Sequence, residues 1–518
     1  MVELVPEKTT PGFRGSETSR PQITLYSHTG DPIVLNAGQT LPFDGRDEQA
    51  FNPVLTQVQT AKEIGAASGT WSFTAKTPSS LDGLFGRIVD DDWADIVFTR
   101  HGRPFHTMRG LVDTITRDRT VSARGATQTV WTVAGRDFGK VWEQTPVWFS
   151  TYCAENVHGH FAAKVFTTRR ADKEGSNVAG DTLVLGSPQA AVRGYLFGFL
   201  EQLGGIGREN WEPPPALPGI RNGSFAQSVF FKNNGFINLP ARVGIDPNFI
   251  MAGGTLWDLA KEWSDPLFTE LFADLALAQF IRSGTYAGQD FDAPVADTHM
   301  VVHFRDKPFV IVDPLWPGPK GLSSPWFSLP MFEVAPQLVT KSTVGRSGYE
   351  RFNAFFATSP LHQESLGAAV IDLLQPMWDK RDIKRHGLRR FDISSKYQDK
   401  NSNLLNLSQA QRAMVKDWYC LNPYFLSGQL AFGRGLPELR VGVRLRVKSP
   451  AGPAQDETYY VEAVQNNWSL QPGLRTSARV TRGWVGDDQS LVNAVAQAGG
   501  GYALEGKVVA GSPDTPPA

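Results

Sequence analysis

The sequence predicts a β-rich α+β protein: two antiparallel β-barrels, a mixed α/β insertion between them, and a helical segment that splits the second barrel. Three observations carry this expectation. Strand-period alternation of apolar and polar residues dominates both ends of the chain, with six or more candidate strands before residue 140. Helix-like apolar spacing is confined to the middle, at 190–203 and 255–263, and to 363–425. One β-unit also occurs twice. Pro104–Asp137 reads PFHTMRGLVDTITRDRTVSARGATQTVWTVAGRD and Glu457–Trp484 reads ETYYVEAVQNNWSLQPGLRTSARVTRGW. In both, an aromatic-led strand passes through a small residue and Val, makes a polar turn, and returns through alternating residues to Arg, at Arg136 and Arg482.

Composition narrows the class. A chain of 518 residues has the length of three or four ordinary domains and buries a substantial core. Hydrophobic residues make up 41%, charged residues 20%, and the net charge is -1, so no overall basic charge recruits nucleic acid or anionic membrane. With 50 Gly, 35 Pro, 14 Trp and 32 Phe, strands, turns and ordered loops are favoured over a helical bundle. Cys153 and Cys420 stand too far apart to form a disulfide or zinc framework by spacing, which fits synthesis in a reducing cytoplasm. The first residues lack the basic and apolar regions of a signal peptide, and no apolar run is long enough to span a bilayer.

Taken in order, residues 1–20 are polar and punctuated by Pro and Gly, the composition of an extended arm. From Gln22, QITLYSHTGDPIVLN reads as a strand, a Gly-Asp turn and a second strand. Trp71, Phe73 and Ala75 alternate with polar neighbours, and Leu81–Ile88 predicts a short helix or turn. Ile96–Thr99 and Phe105–Met108 form a hairpin about Gly102; Gly110–Thr116 and Thr129–Gly135 complete a first barrel over 21–143. Closing such a sheet removes its exposed edges.

The insertion, 144–340, holds predicted helices at Ala190–Leu203 and Thr255–Trp263, with Thr255 as N-cap, a Pro-rich loop between them, and strands in 266–312. The second barrel is assigned to 341–362 and 426–485, with a strand at Phe352–Phe356. The intervening segment 363–425 is helical, with Ala413, Val415, Trp418 and Tyr419 near one face. Leu439, Val441, Val443, Leu445 and Val447 alternate with Arg440, Arg444, Arg446 and Lys448, which predicts a strand with one face wet or set against an acidic surface. Residues 486–518 offer one short apolar helix and then a flexible C-terminal tail.

Candidate chemistry is sparse. Cys153 with His158 and His160 has the residue types of a cysteine hydrolase but shows neither an oxyanion loop nor a third orienting group, and the His spacing does not suit a metal. Asp90, Asp91 and Asp92 point in different directions and read as a solvated turn rather than a cation loop. Glu262, Glu270 and Asp274 supply carboxylates for a glycosidase pair without fixing a separation. The glycines of 204–210 lack the strand-then-helix context of a nucleotide loop. Trp131, Trp468 and Trp484 read as core or interface anchors before sugar platforms. The basic alternation from Arg440 reads as a solvent or subunit face, since it lacks the interleaved aromatics of a nucleic-acid binder. The sequence thus marks no catalytic, cofactor-binding or metal-binding residue, and the expectation is a protein that is not an enzyme and needs no cofactor.

Several segments, in order, resemble the baseplate hub proteins of contractile-tailed bacteriophages and related injection machines. They are RGLVDTITRD with WTVAGRD; DPLFTELFADL with HFRDKPF; QPMWDKRDIKRHGLRR with NPYFLSGQLAFGRGLPELRVG; and YYVEAVQNNWSLQPGLRTSARVTRGW. The similarity spans 21–485 and rests on the shared order of short motifs. It implies two tail-tube-like barrels per chain and a homotrimer whose six barrels adapt a sixfold tail tube to a threefold spike around a channel for DNA. The implied partners are further copies of the chain, a tube or tube-initiator protein on one face, the central spike on the other, and tape measure and baseplate wedge proteins. No sequence-specific nucleic-acid binding or membrane insertion is implied. The implied location is the virion tail baseplate, assembled in the host cytoplasm. The alternative is a tail-associated peptidoglycan hydrolase or carbohydrate-binding protein.

Overall fold

The computed structural model describes residues 19–27, 31–36, 55–78, 82–100, 103–121, 127–147, 192–193, 196–197, 200, 213–214, 216–220, 224–233, 243–245, 254–264, 267, 269–275, 284–286, 289–291, 299–308, 326, 329–349, 351–358, 377–394, 397–399, 415–416, 419, 422–499 and 502–503. Cys153, His158 and His160 lie outside them, as do the side chain of Glu262 and most of the predicted helix 190–203.

The strands of the first half are β1 (Arg20–Tyr26), β2 (Ile33–Asn36), β3 (Leu55–Glu63), β4 (Thr70–Pro78), β5 (Trp93–Arg100), β6 (Arg103–Val121) and β7 (Thr127–Asp137). The insertion adds β8 (Pro146–Val147), β9 (Val229–Asn233), β10 (Val243–Ile245), β11 (Gly254–Thr255), β12 (Thr269–Leu275), β13 (Gly284–Tyr286), β14 (Gln289–Phe291) and β15 (Met300–Asp306). The remainder are β16 (Met331–Val334), β17 (Val339–Gly345), β18 (Ala354–Thr358), β19 (Met377–Asp379), β20 (Arg390–Ser394), β21 (Tyr397–Asp399), β22 (Leu426–Phe432), β23 (Arg444–Val447), β24 (Glu457–Ser469), β25 (Gly473–Val485) and β26 (Tyr502–Ala503). The helices discussed are α1 (Asp82–Phe85), α2 (Lys140–Gln144), α3 (Leu256–Trp263), α4 (Lys380–His386) and α5 (Asp488–Gly499).

The fold is β-rich α+β, built on one large curled sheet of thirteen strands. Its order is β17-β22-β25-β24-β3-β4-β7-β6-β5-β1-β2, with β23 branching from β24 and β16 pairing β23 in parallel. The predicted hairpins form: β5 and β6, paired up to Arg100 opposite Arg103, and the two echoed stretches as β6–β7 and β24–β25. The central contact is the one between halves. β24 pairs antiparallel with β3 from Ala463 opposite Glu63 to Ser469 opposite Gln57, so sequence-distant units become one sheet.

Four strands repeat as a unit. The order β17-β22-β25-β24 matches β3-β4-β7-β6, and two of the irregularities match as well. A one-residue bulge falls at Thr56 in β3 and at Thr340 in β17. Each bulged hydroxyl donates across the strand pair at 3.0 Å, to the carbonyls of Thr74 and Ala431 respectively. Further bulges fall at an acidic residue in each long hairpin, Asp113 in β6 and Glu462 in β24. This register revises one detail of the sequence echo. Arg136 lies opposite Leu111, and the residue in the corresponding place on β25 is Thr481; Arg482 falls in an irregular stretch that the first hairpin lacks, at φ 55°.

Side-chain alternation separates three cores. The first fills the curl of β1–β7 with Trp71, Phe73, Phe98 and Trp131, and receives Trp468 and Leu474 from the tip of the second hairpin. The second gathers Leu430, Phe432, Leu445, Tyr459 and Val480. The third joins α2, α3, β12 and β15 around Trp142, which anchors the insertion to the first unit. Thr255 caps α3 as predicted: its hydroxyl accepts from the Asp258 amide at 3.2 Å while Asp258 accepts from the Thr255 amide at 3.1 Å.

Two expectations are corrected. The alternation from Leu439 to Lys448 is a strand only over Arg444–Val447, because Leu436–Leu439 and the Gly442 turn interrupt it. Its basic face is set largely against acidic side chains, the second of the two expected settings: buried Arg444 meets Asp488 at 3.1 Å and exposed Lys448 meets Glu333 at 2.6 Å, while buried Arg440 donates to the carbonyls of His106 and Thr107. The short helix expected within 486–518 forms, while a strand lies where the flexible tail was expected. Helix α5 docks through Leu491 and the Asp488 ion pair, and β26 pairs with β19. The strand near Phe355 belongs to a separate sheet, β20-β18-β19-β26. Among the described residues, 363–425 holds α4 and β19–β21.

Candidate functional site

Because side chains alternate along a strand, burial of one face of the repeated strands commits the other face to a common surface. On the buried side, Trp468, Val58, Phe73, Val133 and Ile115 lie side by side across five strands. On the opposite side, Lys341, Ala431, Ser477, Gln465, Ala61 and Thr70 form one row across six strands. A neighbouring row runs Asn467, Gln59, Ser72, Ala134, Thr114, and the next Ser469, Gln57, Thr74, Thr132, Thr116. This face is mostly Ser, Thr, Gln, Asn and Ala, with the exposed cations Lys76, Lys341 and Arg475 among them, and it crosses the junction between the two units without a break.

Two arginines along this face are held in ion pairs. Arg479 meets Glu63 at 2.5 Å and Glu462 at 3.5 Å. Arg136 forms a fork with Asp113 at 2.8 and 3.1 Å and reaches Glu143 at 3.0 Å. The bulged acids Asp113 and Glu462 thus neutralise arginines of the adjacent strand in both units. Burial alone would raise the Asp113 carboxyl, but hydrogen bonds from Arg136 and Lys140 outweigh it and hold it below its ordinary value of 3.8. The ionised form is therefore favoured by folding. Its contribution is present above the unfolded value and is lost as pH falls through the folded one. Asp113→Asn is expected to lower stability at pH 7, and the gap to wild type is expected to narrow progressively as pH falls below 3.8, as read by urea unfolding across that range.

The sequence-level candidates fall mainly into structural roles. Glu270 is buried on β12, where its carboxylate accepts from the Tyr460 hydroxyl at 2.6 Å and from Arg305 at 3.1 Å. It borders a cleft of about 630 Å³ whose lining also includes Lys261, Lys307, Arg479 and Arg482. Burial raises the Tyr460 hydroxyl well above its ordinary value, with Arg305 opposing and Glu270 adding to the rise, so the phenol stays protonated as the donor to Glu270. Asp274, on the same strand, takes the Leu275 amide at 2.8 Å and approaches Arg440 at 3.6 Å. In the acidic run, Asp90 is exposed, Asp91 accepts from Lys140 at 2.6 Å, and buried Asp92 accepts from the Val89 amide at 3.0 Å. The run is a folded turn, solvated only in part. Trp131 and Trp468 are core anchors, while Trp484 is half-buried against Phe425 and donates to Ser490 at 2.8 Å. Among the described residues no group of three His, Cys, Asp or Glu could hold a metal, and no helix is long and apolar enough to cross a membrane. The polar face was not legible in advance, since its rows draw neighbours from segments hundreds of residues apart.

No family model and no curated protein matches this sequence. Solved structures do resemble it. A tail protein from Neisseria meningitidis MC58 superposes with a TM-score of 0.42 at 11% identity, covering 89% of this chain and 96% of that one. The 43 kDa tail protein of prophage MuSo2 from Shewanella oneidensis gives 0.38 at 9% identity, over 90% and 97%. An E. coli component of the type VI secretion system, described as similar to bacteriophage tail proteins, gives 0.32 at 8% identity, over 84% and 74%.

Proposed function

We propose that this chain is the structural hub of a tail baseplate, acting as a homotrimer. Its six quasi-equivalent β-units would form a ring that joins a sixfold tail tube to a threefold central spike. One observation carries this reading: the four-strand unit occurs twice with the same order and two matching bulges, and the two copies are already joined edge to edge within the chain. A head-to-tail contact of this kind generates a ring when its rotation closes. Three chains then present six units to a sixfold partner while remaining threefold towards another.

The polar face supports the same reading. Affinity for nucleic acid comes chiefly from cationic contacts to phosphates, and Arg136 and Arg479 on this face are held by carboxylates. A channel lined by Ser, Thr, Gln and Asn would let DNA pass without retaining it. Tube protein on one face, spike on the other, and a place in the virion tail belong to this proposal, as does the absence of enzymatic activity. The test is the mass of the purified protein by light scattering, with negative-stain imaging. A stable ring of three chains is expected; a monomer at every accessible concentration, or a cleared zone on peptidoglycan zymograms, would overturn the proposal.

A further inference from the structure

The ring reading leaves open which edges meet between copies, and the internal repeat answers it. Along one edge of β24, the N-terminal part pairs with β23 over Glu457–Tyr460 and the C-terminal part pairs with β3 over Ala463–Ser469. The corresponding strand β6 pairs with β5 only over Arg103–Leu111. Beyond Leu111, among the described strands, β6 has β7 alone beside it, and Thr114 and Thr116–Arg119 are exposed. The counterpart of β3 is β17, which pairs with β22 alone. Residues Thr340–Thr343 of β17 are exposed, whereas β3 buries Leu55, Val58, Thr60 and Lys62. These two edges, which pair with no further described strand, are thus the two that the in-chain junction brings together in its own copy of the unit.

We infer that the outer edge of β17 in one copy pairs antiparallel with the C-terminal half of β6 in the next copy, in the register that β3 and β24 hold within the chain. The bulges fix that register, because Thr340 stands for Thr56 and Asp113 for Glu462. Gln465 opposite Ala61 becomes Thr116 opposite Gly345, and Asn467 opposite Gln59 becomes Asp118 opposite Thr343. The Ile64 amide, which donates to the Glu462 carbonyl at 2.8 Å, becomes the Gly348 amide donating to Asp113. In this register Asp118 stands diagonal to Lys341 on the polar face, an opposite-charge pair. A seven-residue edge with a single Lys and no Pro is poorly defended against pairing, which suits an edge that meets a second copy.

This inference rests on the ring reading, and its test separates the two. In a Cys153→Ser, Cys420→Ser background, Thr116→Cys with Gly345→Cys is mildly oxidised with oxidised glutathione. A Cβ at Gly345 meets nothing within 4 Å, so that substitution is tolerated. Disulfide-linked chains up to a covalent trimer are expected on non-reducing gels, and the pair Thr114→Cys with Thr343→Cys, four positions out of register, is expected to give none. A trimer by light scattering that fails to cross-link at 116 and 345, or links equally through the displaced pair, would overturn the register and leave the ring standing. A persistent monomer would sink both. Amide exchange on the unmodified protein provides a second readout: slow exchange across 114–121 and 341–347 in the assembled form is expected, and fast exchange in a proven trimer would overturn the seam.

Discussion

Arg305→Met is expected to destabilise the protein by about 3–5 kcal/mol, the range for removing one partner of a buried ion pair. Arg305 stands on β15 directly opposite Glu270 of β12, and its guanidinium reaches out of the insertion to the second unit. It donates to Glu270 at 3.1 Å, to the Gly442 carbonyl at 3.0 Å and to the Tyr460 hydroxyl at 2.8 Å, and it stacks over Phe272 at 5.1 Å. Met replaces the volume but none of these donors, so the buried Glu270 carboxylate loses its cation and keeps only the Tyr460 hydroxyl, and the Gly442 carbonyl loses the Arg305 donor. The check is urea unfolding of Arg305→Met beside the double variant Arg305→Met, Glu270→Gln. Removing the stranded charge should recover part of the loss, whereas equal losses in the two proteins would show that Glu270 was never ionised against Arg305. Since this network joins the insertion to the second unit, the single variant is also expected to unfold in two stages.

The contrast between what the sequence foretold and what it concealed has a physical pattern. Local features were legible: Trp71, Phe73 and Ala75 alternate because one side of β4 faces a core, and Thr255 and Asp258 cap α3 through reciprocal bonds three residues apart. The duplication was legible as a faint echo but in the wrong register near its end, since bulges move residues between faces without leaving a mark on composition. The basic alternation from Arg440 to Lys448 misled for a different reason. A buried arginine and an exposed one look alike until the acceptors are known, and here they come from His106, Thr107 and Asp488. Least legible was the polar face. No single strand shows it, because a Thr or Gln on the outer face of one strand is ordinary, and only the cross-strand registers assemble such residues into rows.

Trp142→Ala is expected to cost about 3–5 kcal/mol, as deletion of a large buried aromatic does when the surroundings relax only partly. Trp142 is fully buried on α2, immediately after the end of β7, and four rings surround it: Phe225 at 5.4 Å, Phe197 at 5.9 Å, Phe138 at 6.0 Å and Trp257 at 6.1 Å between centroids. Its indole N–H donates to the Leu196 carbonyl at 2.8 Å, so truncation leaves both a cavity and a buried acceptor. Trp142→Phe separates the two effects: it keeps most of the ring packing and loses the donor, and a loss of about 1–3 kcal/mol is expected from thermal and urea unfolding. Apart from Phe138, these partners belong to the insertion, whereas the proposed seam uses β6 and β17 of the main sheet. Trp142→Ala should therefore loosen the insertion while the purified, folded fraction still forms rings. If ring formation were lost in step with stability, the insertion would have to contribute to the contact between copies, and the edge-to-edge seam would be an incomplete account of it.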